Sequence, residues 1–116
     1  MSIITVYHKP TCSTCRQALH MLKEEGADVT AVDYYQVPMT AAQLKELLSK
    51  AGLAPREVLR TKEEVYKTLC LGEKTLSDDE LIALMIKHPD LIQRPLVRKG
   101  DRVILARPAE RVKDLL

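Results

Sequence analysis

Two cysteines spaced by two residues, Cys12-Ser13-Thr14-Cys15, stand just behind a short apolar run, and no other feature constrains the fold as much. Ile3 to Tyr7 is apolar, rich in β-branched residues and ended by His8-Lys9-Pro10, which predicts a short buried strand. Cys15, Ala18, Leu19 and Leu22 then recur at i, i+3, i+4 and i+7, one face of a helix that opens near Cys12. Gly26 is a natural stop for that helix, and Val29 to Asp33 reads as a second strand. Strand, helix and strand in that order make a βαβ unit, whose right-handed crossover leaves the two strands parallel, as neighbours or near neighbours.

Tyr34 to Met39 reads as a loop containing Pro38. Thr40 to Gln43 has capping-box spacing, and Leu44, Leu47, Leu48 and Ala51 form the stripe of the helix behind it, closed by Gly52. Pro55 to Leu71 predicts one or two short helices. A second capping box, Ser77 to Glu80, opens a helix through about Lys87 with Leu81, Leu84 and Met85 turned inward, and His88-Pro89 closes it. After Arg94-Pro95, two apolar runs, Leu96-Val97 and Val103 to Ala106, flank Lys99-Gly100-Asp101 and predict an antiparallel hairpin. Pro108 fits the first turn of a last helix with Val112, Leu115 and Leu116 on one face. The order β-α-β, a helical middle, then β-β-α predicts an α/β chain. The expected architecture is a thioredoxin-like mixed sheet with a helical insert at about residues 40–90, in one domain spanning 1–116.

The 116 residues, 46% apolar with a net charge of +2, describe an ordinary soluble globular protein. Without Phe or Trp, the core is built from Leu, Ile, Val, Ala and Met. No apolar run approaches the ~20 residues of a membrane span, and the N-terminus has no secretory pattern, so a cytoplasmic protein without a membrane partner is expected. In that reducing compartment the three cysteines are not a disulfide framework. The small positive charge makes no case for nucleic acid, and the four Tyr are scattered. Structural zinc takes four ligands, and the sequence offers no second C-x-x-C and no H-x-x-x-H, so no metal and no bound cofactor are expected.

A thiolate is the reactive form of cysteine, and a helix N-terminus stabilises it through free N–H groups and the helix dipole. The dipole is worth about 0.3–1 kcal/mol, up to about 2 in partly buried sites, against about 1.4 kcal/mol per pKa unit, so it moves a thiol by about one unit. His8, Lys9 and Arg16 add to this if they face Cys12. Cys12 is therefore the candidate nucleophile. Cys15, on the apolar helix face, either packs or resolves an oxidised Cys12, and Cys70 stands alone and reads as structural.

His8-x-x-x-Cys12, followed by Arg60, Arg94-Pro95 and Arg107-Pro108, resembles the arsenate reductase family that works with glutathione and glutaredoxin. The likeness runs over essentially the whole chain, including His88 to Val97 (HPDLIQRPLV) and the ending ILARPAERVKDLL, without the longer C-terminal tail of some members. The resemblance implies that Cys12 is the nucleophile, that His8 influences its ionisation, that Arg60, Arg94 and Arg107 bind the oxyanion, and that Pro95 is the cis proline of thioredoxin-like folds. Arg16, Arg98, Arg102 and Arg111 keep the reading of surface residues, as does His20, and His88 that of a helix-end residue. Cys15 departs from the pattern. Glutathione-linked members usually carry no second cysteine there, whereas a C-x-x-C is common in the related Spx-type transcriptional regulators.

Guanidinium forks suit tetrahedral oxyanions, so three arginines around a thiolate imply arsenate as substrate. The reductant implied is glutathione with glutaredoxin, or thioredoxin if Cys15 is the resolving thiol. The competing readings are a Spx-type redox-sensing regulator and a general thiol-disulfide reductase of the same fold.

Overall fold

The computed structural model describes residues 3–72 and 75–116. Its internal contacts gather in two compact units: a sheet-bearing unit, which runs through Pro38 and resumes at Arg94–Leu116, and a helical unit, Met39–Gln93.

The sheet-bearing unit holds β1 (Ile4–His8), α1 (Ser13–Glu24), β2 (Val29–Asp33), β3 (Leu96–Lys99) and β4 (Arg102–Leu105), in the spatial order β2-β1-β3-β4. β1 runs parallel to β2, in register from Ile4 opposite Val29 to His8 opposite Asp33. β3 lies antiparallel on the other side of β1 and pairs with β4 across the tight turn at Gly100-Asp101. This mixed sheet is the expected thioredoxin-like arrangement. α1 buries Cys15, Ala18 and Leu22, and the last two share one cluster with Ile4 and Val6 of β1 and Val97 of β3. The peptide bonds Arg94–Pro95 and Arg107–Pro108 are both cis.

The last predicted helix differs. Ala109–Leu115 is 3-10, with Ala109, Val112 and Leu115 buried at intervals of three, and Leu116 lies 49% exposed rather than on the packed face. Three residues per turn aligns those three side chains on one edge and rotates position 116 out of it.

The helical unit holds α2 (Ala41–Ala51), a 3-10 turn at Pro55–Val58, α3 (Glu64–Thr68), α4 (Asp78–Lys87) and a second 3-10 turn at Pro89–Leu91. Thr40 and Ser77 both complete capping boxes, accepting from the backbone N–H groups of Gln43 and Glu80. α4 buries Leu81, Ile82 and Met85; Ile82 takes the inward position expected of Leu84, which sits half-buried at the margin of that face. Lys45 pairs with Asp79 at 3.4 Å, and an antiparallel bridge joins Leu59 to Ile92.

Candidate active site

Cys12 is the N-cap of α1. Its backbone is extended, at φ −80° and ψ 120°, and its N–H donates to the Lys9 carbonyl at 2.9 Å, which closes the β1–α1 turn. The Cys12 Sγ occupies the place a serine or threonine oxygen takes in an ordinary cap and accepts from the Cys15 N–H at 3.4 Å. Burial pushes this half-buried thiol up. The Cys15 side chain, the backbone N–H groups of Cys15 and Thr14 and the charge of Arg94 together outweigh that, so Cys12 ionises below the ordinary thiol range. Cys15 behaves oppositely. It is fully buried, and burial together with its hydrogen bond to Cys12 pushes it up to about 12. The pair is thereby split: the Cys12 thiolate is favoured and Cys15 is held as a thiol.

Arg94 immediately precedes the cis proline at the start of β3 and is 5% exposed. A buried guanidinium must be satisfied by partners. Its Nη1 donates to the hydroxyls of both Tyr34 and Tyr35, each at 3.2 Å. Burial works against its charge, but Tyr34, Tyr35 and Cys12 prevail and raise its pKa further. The tyrosines follow β2, where Asp33 Oδ1 accepts from the Tyr35 N–H at 3.0 Å and shapes the turn. Their rings lie 5.1 Å apart, and Lys9 Nζ sits 4.9 Å over the Tyr35 ring. The sequence places both tyrosines in a loop and assigns them no role. Two hydroxyl-bearing aromatics at the carboxyl end of a strand beside the C-x-x-C turn were the available signal.

Arg107 follows β4 and is half-buried; its Nη1 donates to the Arg94 carbonyl at 2.8 Å. His8 ends β1 opposite Asp33, and its buried Nδ1 has no hydrogen-bond partner among the described residues. Burial lowers its pKa against a smaller raising effect of Asp33, which favours the uncharged imidazole. Arg60 belongs to the helical unit, where its Nε donates to Glu63 Oε1 at 2.9 Å and its N–H to the Leu91 carbonyl at 2.8 Å. In the sheet-bearing unit hydrogen bonds link Cys12 to Cys15 and Arg107 to Arg94, the charge of Arg94 acts on Cys12, and His8 lies on β1.

Several of the remaining arginines and histidines have local partners. Arg98 and Arg111 donate to the carbonyls of Gly100 and Leu105, and the exposed His20 pairs with Glu24. His88 caps the C-terminus of α4. Cys70 is exposed at the end of α3. Among the described residues no group of three His, Cys, Asp or Glu is arranged to hold a metal ion, and no helix is long and apolar enough to cross a membrane.

Residues 7–115 match the ArsC family. The chain is 42% identical over 116 residues to an arsenate reductase of Yersinia enterocolitica, covering 100% of this chain and 82% of that protein. It is 38% identical over 114 residues to the Escherichia coli K12 protein YfgD, described as uncharacterized, covering 97% of this chain and 96% of that one. Among solved structures, an arsenate reductase from Vibrio cholerae superposes with a TM-score of 0.94 at 38% identity, over 99% of this chain and 98% of the other.

Proposed function

The chain belongs to the ArsC family and is an arsenate reductase-like oxidoreductase, and from that premise we propose that it reduces arsenate to arsenite with Cys12 as nucleophile. The observation that carries the reading is the Cys12 thiol, held below the ordinary range at the N-terminus of α1 by Cys15, Thr14 and the charge of the buried Arg94. An electron-rich sulfur beside a fixed cation suits attack on an anionic, electrophilic centre.

In the proposed sequence the Cys12 thiolate attacks arsenic(V), forming a sulfur–arsenic bond and displacing hydroxide, which leaves as water. A second thiol then attacks the Cys12 sulfur. The sulfur–arsenic bond breaks with its electron pair retained by arsenic, which leaves as arsenite. Cys12 remains in a disulfide with the attacking thiol, so two thiols have lost two electrons and arsenic has gained them. Arg94 and Arg107 are the proposed anion-binding residues of the sheet-bearing unit. Arg60 is assigned the same role on the family resemblance alone.

The state of Cys15 bears on the second thiol. A thiol pushed up to about 12 and fully buried is a poor attacking group. That supports an external thiol, glutathione, with glutaredoxin restoring the enzyme, and it supports reading Cys15 as the donor that steadies Cys12. An internal Cys12–Cys15 disulfide reduced by thioredoxin is the other route. The reduced thiols that either route requires support a cytoplasmic location, and the whole chain is read as one thioredoxin-like domain with its helical insert.

The test is arsenate-dependent NADPH oxidation, once with glutathione, glutaredoxin and glutathione reductase and once with thioredoxin and its reductase. Turnover with the glutathione mixture, lost in Cys12→Ser, supports the reading. Turnover only with thioredoxin transfers the resolving role to Cys15. Silence in both mixtures overturns the proposal.

A further inference from the structure

We propose that Tyr34 and Tyr35 are positioning residues of this site, a paired hydroxyl cradle that sets the orientation of the Arg94 guanidinium and through it the strength of anion binding and the reactivity of Cys12. The proposal rests on Cys12 and Arg94 forming the reactive pair, and it does not require arsenate to be the anion.

The geometry is specific. Both hydroxyls accept from the same nitrogen, Arg94 Nη1, at 3.2 Å each. A guanidinium is planar, so two acceptors on one nitrogen use both of its hydrogens and fix the plane and tilt of the whole fork. Tyr34 is 2% exposed and is held by its surroundings. Tyr35 is half-buried and is held from three directions. Its N–H is bound by Asp33, its ring lies 5.1 Å from that of Tyr34, and Lys9 Nζ covers it at 4.9 Å. The main chain of Arg94 is fixed separately, by the Arg107 bond to its carbonyl at 2.8 Å. Side chain and backbone of one arginine are thus held by different residues.

The same contacts join the loops around the nucleophile. The Lys9 carbonyl accepts the Cys12 N–H at 2.9 Å while the Lys9 ammonium rests on Tyr35. The β1–α1 turn that carries Cys12 and the turn after β2 are therefore tied together next to Arg94. A cation–π contact of this kind is direction-tolerant, whereas the two hydroxyl bonds are not. Positioning consequently falls to the hydroxyls, and the ring contacts keep them in place. Phenylalanine at both positions keeps the rings and removes the hydroxyls, which separates this role from that of the ring packing.

The experiment uses the full-length reduced protein with Tyr34→Phe, Tyr35→Phe and the double variant, each checked for an unchanged circular dichroism spectrum and melting temperature. First, the iodoacetamide alkylation rate of Cys12, followed by peptide mass spectrometry, is measured against pH. With Arg94 less firmly aimed, the thiolate loses stabilisation, and the midpoint of the double variant should move to higher pH. Second, in arsenate turnover, KM should rise about tenfold, the worth of a hydrogen bond to a charged group, with kcat held within about twofold. Third, in an Arg94→Lys background the tyrosine substitutions should have no further effect on either quantity. An unchanged alkylation midpoint and unchanged KM in the folded double variant would overturn the proposal. So would a full tyrosine effect that persists in Arg94→Lys. Absence of arsenate turnover in the parent protein would count against the reductase reading alone, because the alkylation arm contains no arsenate.

Discussion

The backbone N–H of Cys15 donates to the sulfur of Cys12 at 3.4 Å, so the second cysteine of the pair caps the first from inside the helix that the first one opens. The Cys15 thiol adds a second hydrogen bond to the same sulfur. Both favour the thiolate of Cys12, and the side-chain bond is lost when Cys15 becomes alanine. Cys15→Ala should therefore slow Cys12 alkylation at neutral pH by about fivefold, the worth of one ordinary hydrogen bond, while Cys15→Ser, which keeps a donor, should slow it less. Alkylation no slower in Cys15→Ala than in the parent protein would show that the thiol contributes nothing to the nucleophile.

The second expectation concerns Arg94. Lysine keeps a positive charge but lacks the planar five-donor guanidinium, whose plane is set through one nitrogen, Nη1, by both tyrosine hydroxyls. Arg94→Lys should lower kcat/KM for arsenate about a hundredfold, the scale on which removal of a single fixed charge-stabilising donor acts, with the circular dichroism spectrum unchanged. Steady-state kinetics on the folded variant measures it.

A pH effect on stability follows from His8. Its folded pKa lies below the unfolded value because burial disfavours the charged ring, with Asp33 offsetting part of this. The unfolded chain therefore binds a proton at a higher pH than the folded chain does. The His8 contribution is fully present above the unfolded pKa and is lost as pH falls through the interval between the two values. Urea unfolding midpoints should decrease from neutral pH into the mildly acid range, and His8→Asn should make that decrease shallower. A midpoint whose acid slope is the same in both proteins would contradict it.

The ends of three helices give a backbone test. α1 and α2 finish with a residue in the left-handed region at Gly26, φ 74°, and Gly52, φ 69°. In each, the following N–H reaches back across the last turn, from Ala27 to the Leu22 carbonyl and from Leu53 to the Leu48 carbonyl. α3 ends in the same way, with the Leu71 N–H on the Tyr66 carbonyl, but the left-handed residue is Cys70 at φ 54°. A side chain there costs about 1–2 kcal/mol, of which the greater freedom of glycine in the unfolded chain returns about 0.5–1 kcal/mol. Cys70→Gly should raise stability by about 0.5 kcal/mol, and Cys70→Ala should leave it unchanged. At Gly26 and Gly52 an added Cβ meets nothing within 4 Å, so the net cost of alanine, by the same balance about 0.5 kcal/mol, should be purely conformational. Denaturant unfolding of the four variants compares them directly.

The β-α-β opening, the capping boxes at Thr40 and Ser77 and the β3–β4 hairpin were all legible in the sequence, because each is written in local spacing. The position of Cys12 as a cap was legible for the same reason. The partners of Arg94 were not. Tyr34 and Tyr35 lie 60 and 59 residues away in the chain, and no periodicity connects a loop after one strand to the residue before another. The 3-10 form of Ala109–Leu115 was hidden because Ala109, Val112 and Leu115, three apart, satisfy both helical periods, and only the exposed Leu116 separates them. Ile82 and Leu84 both border the apolar face of α4, and which one turns inward is decided by what packs against it.

The account stands most directly on the fate of Cys12 during turnover. Fully reduced protein is given arsenate with limiting glutathione and no glutaredoxin, quenched in acid, alkylated, and examined by intact-mass and peptide mass spectrometry. The expected product is Cys12 carrying one glutathione, formed only when arsenate is present and accompanied by an equal amount of arsenite, with Cys15 and Cys70 still alkylatable after unfolding. Arsenite released while Cys12 remains a free thiol throughout would contradict the account.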